Sequence, residues 1–195
     1  MKKILILLIG VAMSSVAHAQ FTKGTIMAGG SLGASFTTNK TEVGNTTTTT
    51  GTTNTVNFFP QVGYFVIDNL AVGAGIDLYS TTTKAKGSNN KNTTSTASFA
   101  PFARYYYQKF YGQLAFNVGS GNFKNTNGNV TTDNKFTRTG LNLAVGYAYL
   151  LNEHVAVEPQ IGYAMSSDKF KTPGNKNINS GLFINIGLQI YLRKK

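Results

Sequence analysis

The sequence contains no cysteine and no tryptophan. Without cysteine there is no disulfide framework, no thiolate metal site and no lipidated cysteine behind a signal. Charged residues make up only 13% of the chain. The two histidines are His18 and His154, too few for a histidine-built zinc site. After the first residues, no run approaches the ~18 consecutive apolar residues of a membrane helix. What is present is Thr, Asn and Gly, with 10 Tyr and 13 Phe. That is too aromatic for a disordered chain and too polar for a helical membrane protein.

The N-terminus reads as a targeting segment. Lys2 and Lys3 precede an apolar run from Ile4 to Met13, and Ala17-His18-Ala19 supplies a small-x-small cleavage signature. A membrane anchor would need ~20 apolar residues, and Ser14 and Ser15 end this run early. The expected organisation is a signal peptide at 1–19, cleaved before Gln20 after export by the Sec route, and one domain at 20–195. Loss of Lys2 and Lys3 lowers the formal charge from +11 to +9.

Period-two alternation predicts eight strands, at 25–36, 55–66, 70–79, 97–107, 110–119, 139–149, 155–165 and 178–192. The last is the cleanest, with Leu182, Ile184, Ile186, Leu188, Ile190 and Leu192 on one face. Strands two and three, four and five, and six and seven join through a few residues around Asp68-Asn69, Gln108-Lys109 and Asn152-Glu153. The other connections, 37–54, 80–96, 120–138 and 166–177, are long, polar and low in complexity, and read as mobile loops. Short turns thus gather at one end and long connections at the other.

A soluble sandwich or lipocalin-like barrel would alternate in the same way. Three features separate the cases. The polar face is rich in glycine, including Gly63, Gly73, Gly75, Gly146 and Gly162. Glycine weakens a solvated strand and gains it nothing, but makes room in a narrow lumen beside Phe59, Phe102, Arg104, Tyr106 and Phe183. These strands also carry almost none of the Lys and Glu of a soluble surface. Finally, Tyr64, Tyr105, Tyr107, Tyr111, Tyr147 and Tyr149, with Tyr106 and Tyr191, cluster at the short-turn end, as in an aromatic girdle at lipid headgroups. The expected fold is all-β: an eight-stranded antiparallel up-and-down transmembrane β-barrel whose apolar face meets acyl chains. Pro60, Pro101 and Pro159 fall inside these strands, where each must produce a bulge or a locally broken ladder.

The stretches "PQVGYFVIDNLAVGAG", "PFARYYY", "EPQIGYAM" and "GLFINIGLQIYL" resemble the small outer-membrane β-barrel domain family. Its members include the OmpX-like and OmpW-like barrels and the OmpA transmembrane domain. The resemblance implies an outer-membrane location, outer-membrane lipid and lipopolysaccharide as surroundings, and the barrel-insertion machinery as a partner. The pattern departs from the family where residues 192–195 follow the last aromatic, Tyr191.

Chemistry has little material here. His154 stands beside Glu153 in a short turn, and the four outer connections hold three acids between them, no two in the same connection: Glu42, Asp133 and Asp168. Paired-carboxylate or metal-assisted catalysis is not expected, nor is a cofactor. "GGSLGAS" and "VGAG" lack the Lys-Ser/Thr ending of a phosphate loop and open no helix. By parity Arg104, Asp77 and Glu158 point into the lumen. Buried charges need partners, so an Arg104-centred network is expected, with Glu158 favoured over Asp77 as its partner and Gln160 and Gln61 assisting. It serves as a lumen plug or as a proton or ion path. The outer connections carry Lys40, Lys84, Lys86, Lys91, Lys124, Lys135, Arg138, Lys169, Lys171 and Lys176 against three acids, a net +7. Such a rim either keeps the surface soluble or contacts an acidic surface ligand. Without interleaved aromatics it is no nucleic-acid platform. Two functions follow for a monomer: a structural or surface-interaction barrel with a side-chain-filled lumen, or a narrow channel for ions or small solutes.

Overall fold

The structure, a computed structural model, describes residues 21–43, 46–128, 130–171 and 175–193. The expected signal segment and its cleavage site lie outside these residues. The described chain folds into strands β1 (Ile26–Val43), β2 (Thr46–Ile67), β3 (Leu70–Ala85), β4 (Lys91–Tyr107), β5 (Phe110–Asn127), β6 (Val130–Tyr147), β7 (Tyr149–Leu150), β8 (Val155–Phe170) and β9 (Lys176–Leu192). Neighbours in sequence pair antiparallel, β1 pairs with β9, and β6 pairs with β8 to close the ring.

The ninth strand has a local cause. β7 continues the line of β6 after a one-residue break at Ala148, and both pair with β8. The unpaired stretch lies between Gly146↔Gln160 and Tyr149↔Val157, which puts Pro159 opposite Tyr147. Proline has no N–H to give the ladder. The ring therefore has eight walls, one of them interrupted. The other prolines act alike on one side only. Pro60 keeps its partner Gly30, but the β2–β3 ladder skips from Phe58↔Leu78 to Gln61↔Gly75. Pro101 keeps Ala74, but the β4–β5 ladder skips from Phe99↔Val118 to Phe102↔Ala115. The register carries through each gap, so the prolines break ladders without making bulges.

Register fixes the stagger of the ring. Glu158 lies opposite Gly187, Gly187 opposite Ser31, and Ser31 opposite Phe59. Continuing the β2–β3 register through its gap puts Phe59 opposite Asp77, which leads on to Ser98, Gly119, Arg138 and Asp168. One circuit from Glu158 thus returns to the same strand at Asp168, a stagger of ten residues. Strand number and stagger together set the tilt and width of a barrel, and eight strands leave an interior that side chains can fill.

The strands are longer than the alternation predicts. β1 and β2 run 18 and 22 residues, about twice the ~9–11 needed to cross a bilayer. Most of the residues expected in mobile loops are instead paired strand. Threonine explains this: it is β-branched and suits a pleated sheet, and hydroxyls bond across strands. Thr55–Thr81 at 2.7 Å, Thr53–Thr83 at 3.1 Å, Thr126–Thr131 at 3.2 Å and Thr82–Thr93 at 3.3 Å are such pairs.

One wall is shorter. The β1–β9 ladder runs only from Ile26↔Leu192 to Leu32↔Ile186. Past it, β1 pairs with β2 alone and β9 with β8 alone. Phe36, Leu182 and Ile184 flank this seam and are about three-quarters exposed. Around the ring the large apolar side chains Leu32, Val62, Val72, Leu114, Leu143, Val145, Ile161 and Ile186 point outward. The interior instead buries Arg104, Glu158, Gln113, Gln160, Gln189, Asn117 and Asn185. This inversion of an ordinary core is what a hydrocarbon solvent selects.

Candidate functional site: the barrel lumen

Glycine builds the lumen by leaving space for rings. A Cβ at Gly73 would run into the Phe102 ring, and one at Gly146 into the Tyr111 ring. Phe59 lies over Gly75, Phe183 over Gly162 and Phe136 over Gly121 in the same manner. Each of these five rings rests where a neighbouring strand has no side chain.

Toward the short-turn end the lumen is filled around Arg104. Arg104 and Glu158 each have 1% of their surface exposed, and Arg104 Nη1 meets Glu158 Oε2 at 2.6 Å. Nη1 also donates to the Tyr106 hydroxyl at 3.0 Å, and Nε to Gln113 Oε1 at 2.6 Å. The guanidinium lies over the Tyr111 ring, 4.2 Å from its centroid. Glu158 Oε1 accepts from the Tyr191 hydroxyl at 2.5 Å and from Tyr106 at 3.5 Å. The Tyr106 and Tyr191 hydroxyls lie 3.0 Å apart. Both charges are thus paired and hydrogen-bonded, the condition for tolerating them away from water.

Arg104 and Glu158, which parity points into the lumen, meet there, and three of the other expected members sit differently. Gln160 joins indirectly, accepting from the Tyr111 hydroxyl at 3.2 Å. Gln61 is buried, but its Oε1 has no hydrogen-bond partner among the described residues; Gln113, directly opposite Arg104 on β5, takes the place expected for it. Asp77 does not reach Arg104; its register puts it level with Ser98 and Arg138.

The girdle also needs correction. Tyr64, Tyr105, Tyr107 and Tyr149 point outward and are exposed, and Tyr147 packs edge-on against Phe110 at 5.0 Å. Tyr111, Tyr106 and Tyr191 are buried inside. Alternation sends every second residue of a strand inward, so three of the tyrosines at this end belong to the plug.

Phe21 completes the closure; it precedes the first alternating segment, so periodicity gives no sign of it. It is 2% exposed and stacks on Tyr106 at 4.0 Å, edge-on to Tyr191 at 5.4 Å. The chain beside it is tied down: Asn69 N donates to Phe21 O at 2.6 Å, Lys23 N to Asp68 Oδ1 at 2.8 Å and Gly24 N to Phe65 O at 2.9 Å. Phe65, Met27, Tyr106 and Tyr191 surround it. His154 lies in the neighbouring turn with Nδ1 3.0 Å from Tyr191 O.

The other half of the lumen is hollow, where a side-chain-filled interior was expected. A chamber of about 1110 Å³ rises from Gln113 and Gln160 toward the long hairpins. Arg138 and Asp168, expected on the exposed rim, lie in its wall. They form a fork-to-fork pair, Nε to Oδ1 at 2.6 Å and Nη2 to Oδ2 at 2.7 Å, with Thr96 Oγ1 accepting from Arg138 at 3.2 Å. Extension of β6 and β8 past the bilayer-crossing length carries both inward. Outside, Lys84, Lys86, Lys91, Lys124, Lys135, Lys169, Lys171 and Lys176 remain exposed on the hairpins.

A family model described as the outer membrane protein beta-barrel domain matches residues 4–193. Solved structures similar to the chain include neisserial surface protein A, at 15% identity over 86% of this chain and 97% of that one, with a TM-score of 0.48. The outer membrane protein OprG from Pseudomonas aeruginosa is 11% identical over 89% and 98%, with a TM-score of 0.47. The N-terminal β-barrel domain of OprF from the same species is 9% identical over 87% and 98%, with a TM-score of 0.44. No curated protein matches.

Proposed function

The chain belongs to the outer membrane protein beta-barrel domain family, and from that premise we propose that this outer-membrane barrel is a structural and surface-interaction protein, not a conduit. As a member it sits in the outer-membrane lipid and is inserted by the barrel assembly machinery. The observation that carries the proposal is the division of the lumen. The short-turn half is shut by Phe21, Tyr106, Tyr191 and the Arg104–Glu158 pair, while the opposite end projects lysine-bearing hairpins.

The short-turn end faces the periplasm and the hairpins face outward, the usual arrangement of such barrels. Residues 1–19 act as the export signal, removed before Gln20. The basic hairpins engage anionic surface chemistry, with lipopolysaccharide phosphate groups as the nearest source. Arg138 adds nothing to that surface, because Asp168 neutralises it. The proposal assigns the chain no catalytic step: among the described residues the buried carboxylates Glu158 and Asp168 each pair with an arginine.

Two measurements test this. Reconstituted protein in planar bilayers is expected to be electrically silent. A reproducible open level that changes with Arg104→Ala would reverse the reading in favour of the channel. Binding to lipopolysaccharide-containing vesicles is expected to weaken with salt and with Lys→Ala changes on the hairpins. Binding indifferent to both would remove the basic hairpins from the account.

A further inference from the structure

The hollow half of the lumen is built in a way that the plugged half is not. Its polar wall is mostly amide and hydroxyl: Asn57, Asn117, Asn142 and Asn185 face the chamber, with Ser31 beside them. Two rings, Phe59 and Phe183, lie over Gly75 and Gly162. Each is only partly buried, so the side away from its glycine is left to the chamber. The fully charged groups divide unevenly. Arg138 is neutralised by Asp168 in two hydrogen bonds. Asp77 makes no hydrogen bond or ion pair among the described residues.

The wall of the chamber also holds unused acceptors. Ser31 and Asn117 line it, and their Oγ and Oδ1 atoms are buried in the wall without a hydrogen-bond partner among the described residues. Buried polar atoms of native proteins are nearly always satisfied. The wall therefore calls for an occupant that donates several hydrogen bonds, accepts some from amide N–H groups, and has an apolar face to lay on a ring. A free anion would meet the Asp77 carboxylate and no unpaired cation. A wholly apolar molecule would leave the acceptors stranded.

We propose that the outer chamber is a binding site for a neutral sugar of mono- or disaccharide size. Ring hydroxyls donate to Asp77 and, as the Ser31 and Asn117 side chains turn toward the chamber they line, to these as well; the amides of Asn57 and Asn185, which bond each other at 3.3 Å across Gly33, open to receive a hydroxyl between them. The C–H face packs on Phe59 or Phe183, since aromatic faces carry negative charge and C–H groups slight positive charge. The volume of about 1110 Å³ lies just above the ~300–1,000 Å³ of small-ligand sites, so a mono- or disaccharide fills it only in part. The floor formed by Gln113 and Gln160 above the Arg104 layer closes the site toward the short turns, while on one side the chamber reaches the β1–β9 seam at Leu182 and Ile184. A sugar enters from outside and leaves the same way.

The test uses the full folded barrel in lipid nanodiscs, with maltose as the probe and saturation-transfer NMR as the readout. Saturating the aromatic protons is expected to transfer to the maltose C–H protons in a saturable manner. Phe59→Leu and Phe183→Leu, which keep volume but remove the ring face, are each expected to weaken binding up to about tenfold. Asp77→Asn is expected to weaken it as well. Phe58→Leu, on the outward face, is expected to leave it unchanged. The unheated gel shift of each variant reports that the barrel has formed. Absence of saturable transfer from the wild-type barrel overturns the proposal. Transfer that survives both ring substitutions places the sugar elsewhere and overturns it too. Calcium chloride binding that depends on Asp77, with no maltose binding, makes the chamber a cation site instead.

Discussion

Replacing Arg104 with methionine leaves the Glu158 carboxylate in a site with 1% exposure and no positive charge within reach. Glu158 keeps the Tyr191 hydroxyl at 2.5 Å, but Gln113 loses the donor at 2.6 Å and Tyr106 the one at 3.0 Å. Breaking one side of a buried pair costs about 3–5 kcal/mol. Glu158→Leu strands the guanidinium in the same way and falls in the same range of about 3–5 kcal/mol. The double variant should behave differently. With both charges gone, the Tyr106 and Tyr191 hydroxyls still bond each other at 3.0 Å, and an apolar pair of similar volume is often neutral or better. The expected outcome is a double variant that loses less stability than either single one. The assay is equilibrium urea unfolding and refolding in lipid vesicles, followed by far-UV circular dichroism and the heat-modifiable gel shift. Strictly additive losses, or single losses near zero, would refute the buried-pair reasoning and make the lumen at this level wet.

Leu143→Arg puts a charge on the outward wall at mid-bilayer depth and should destabilise by about 2–4 kcal/mol; a neutral result in the same unfolding assay would contradict the lipid-facing placement. Phe21→Ala removes a ring stacked 4.0 Å from Tyr106, with an expected loss of about 3–5 kcal/mol. An unchanged midpoint would mean that the N-terminal segment only decorates the plug. In hydrogen–deuterium exchange, amides at 33–36 and 181–185, beyond the β1–β9 ladder, should exchange faster than those at 26–32. Equal protection would mean that the seam is closed in the membrane.

Alternation read the wall well because lipid imposes a strict rule: one face apolar, the other polar, with no solvated edge. Parity puts Arg104, Glu158 and Asp77 all in the lumen, where charges must find partners, but only the folded geometry separates Glu158, which meets Arg104, from Asp77, which does not. Gln113 carried the same polar signal as Gln61, and only its register opposite Arg104 separated them. The threonine stretches hid their strands because both faces are polar there, so no period-two contrast exists above the bilayer. That single blindness moved Arg138 and Asp168 to the rim on paper while the extended β6 and β8 carry them inside. Tyr111 and Tyr191 share the girdle's end of the barrel but point inward, and position along the axis alone does not tell an inward ring from an outward one. Phe21 gave no signal, since one ring before a strand has no pattern to belong to.

The central claim is that hydrocarbon, not water, solvates the Leu/Val/Ile face. The cysteine-free sequence suits a direct measurement: single cysteines at 142, 143, 144 and 145, each nitroxide-labelled, with collision rates measured by electron paramagnetic resonance in vesicles. Labels at 143 and 145 should collide freely with dissolved oxygen and hardly at all with a polar nickel chelate, while those at 142 and 144 should not share that preference for oxygen. The inverse alternation, or labels at 143 and 145 open to the nickel chelate, would contradict the account.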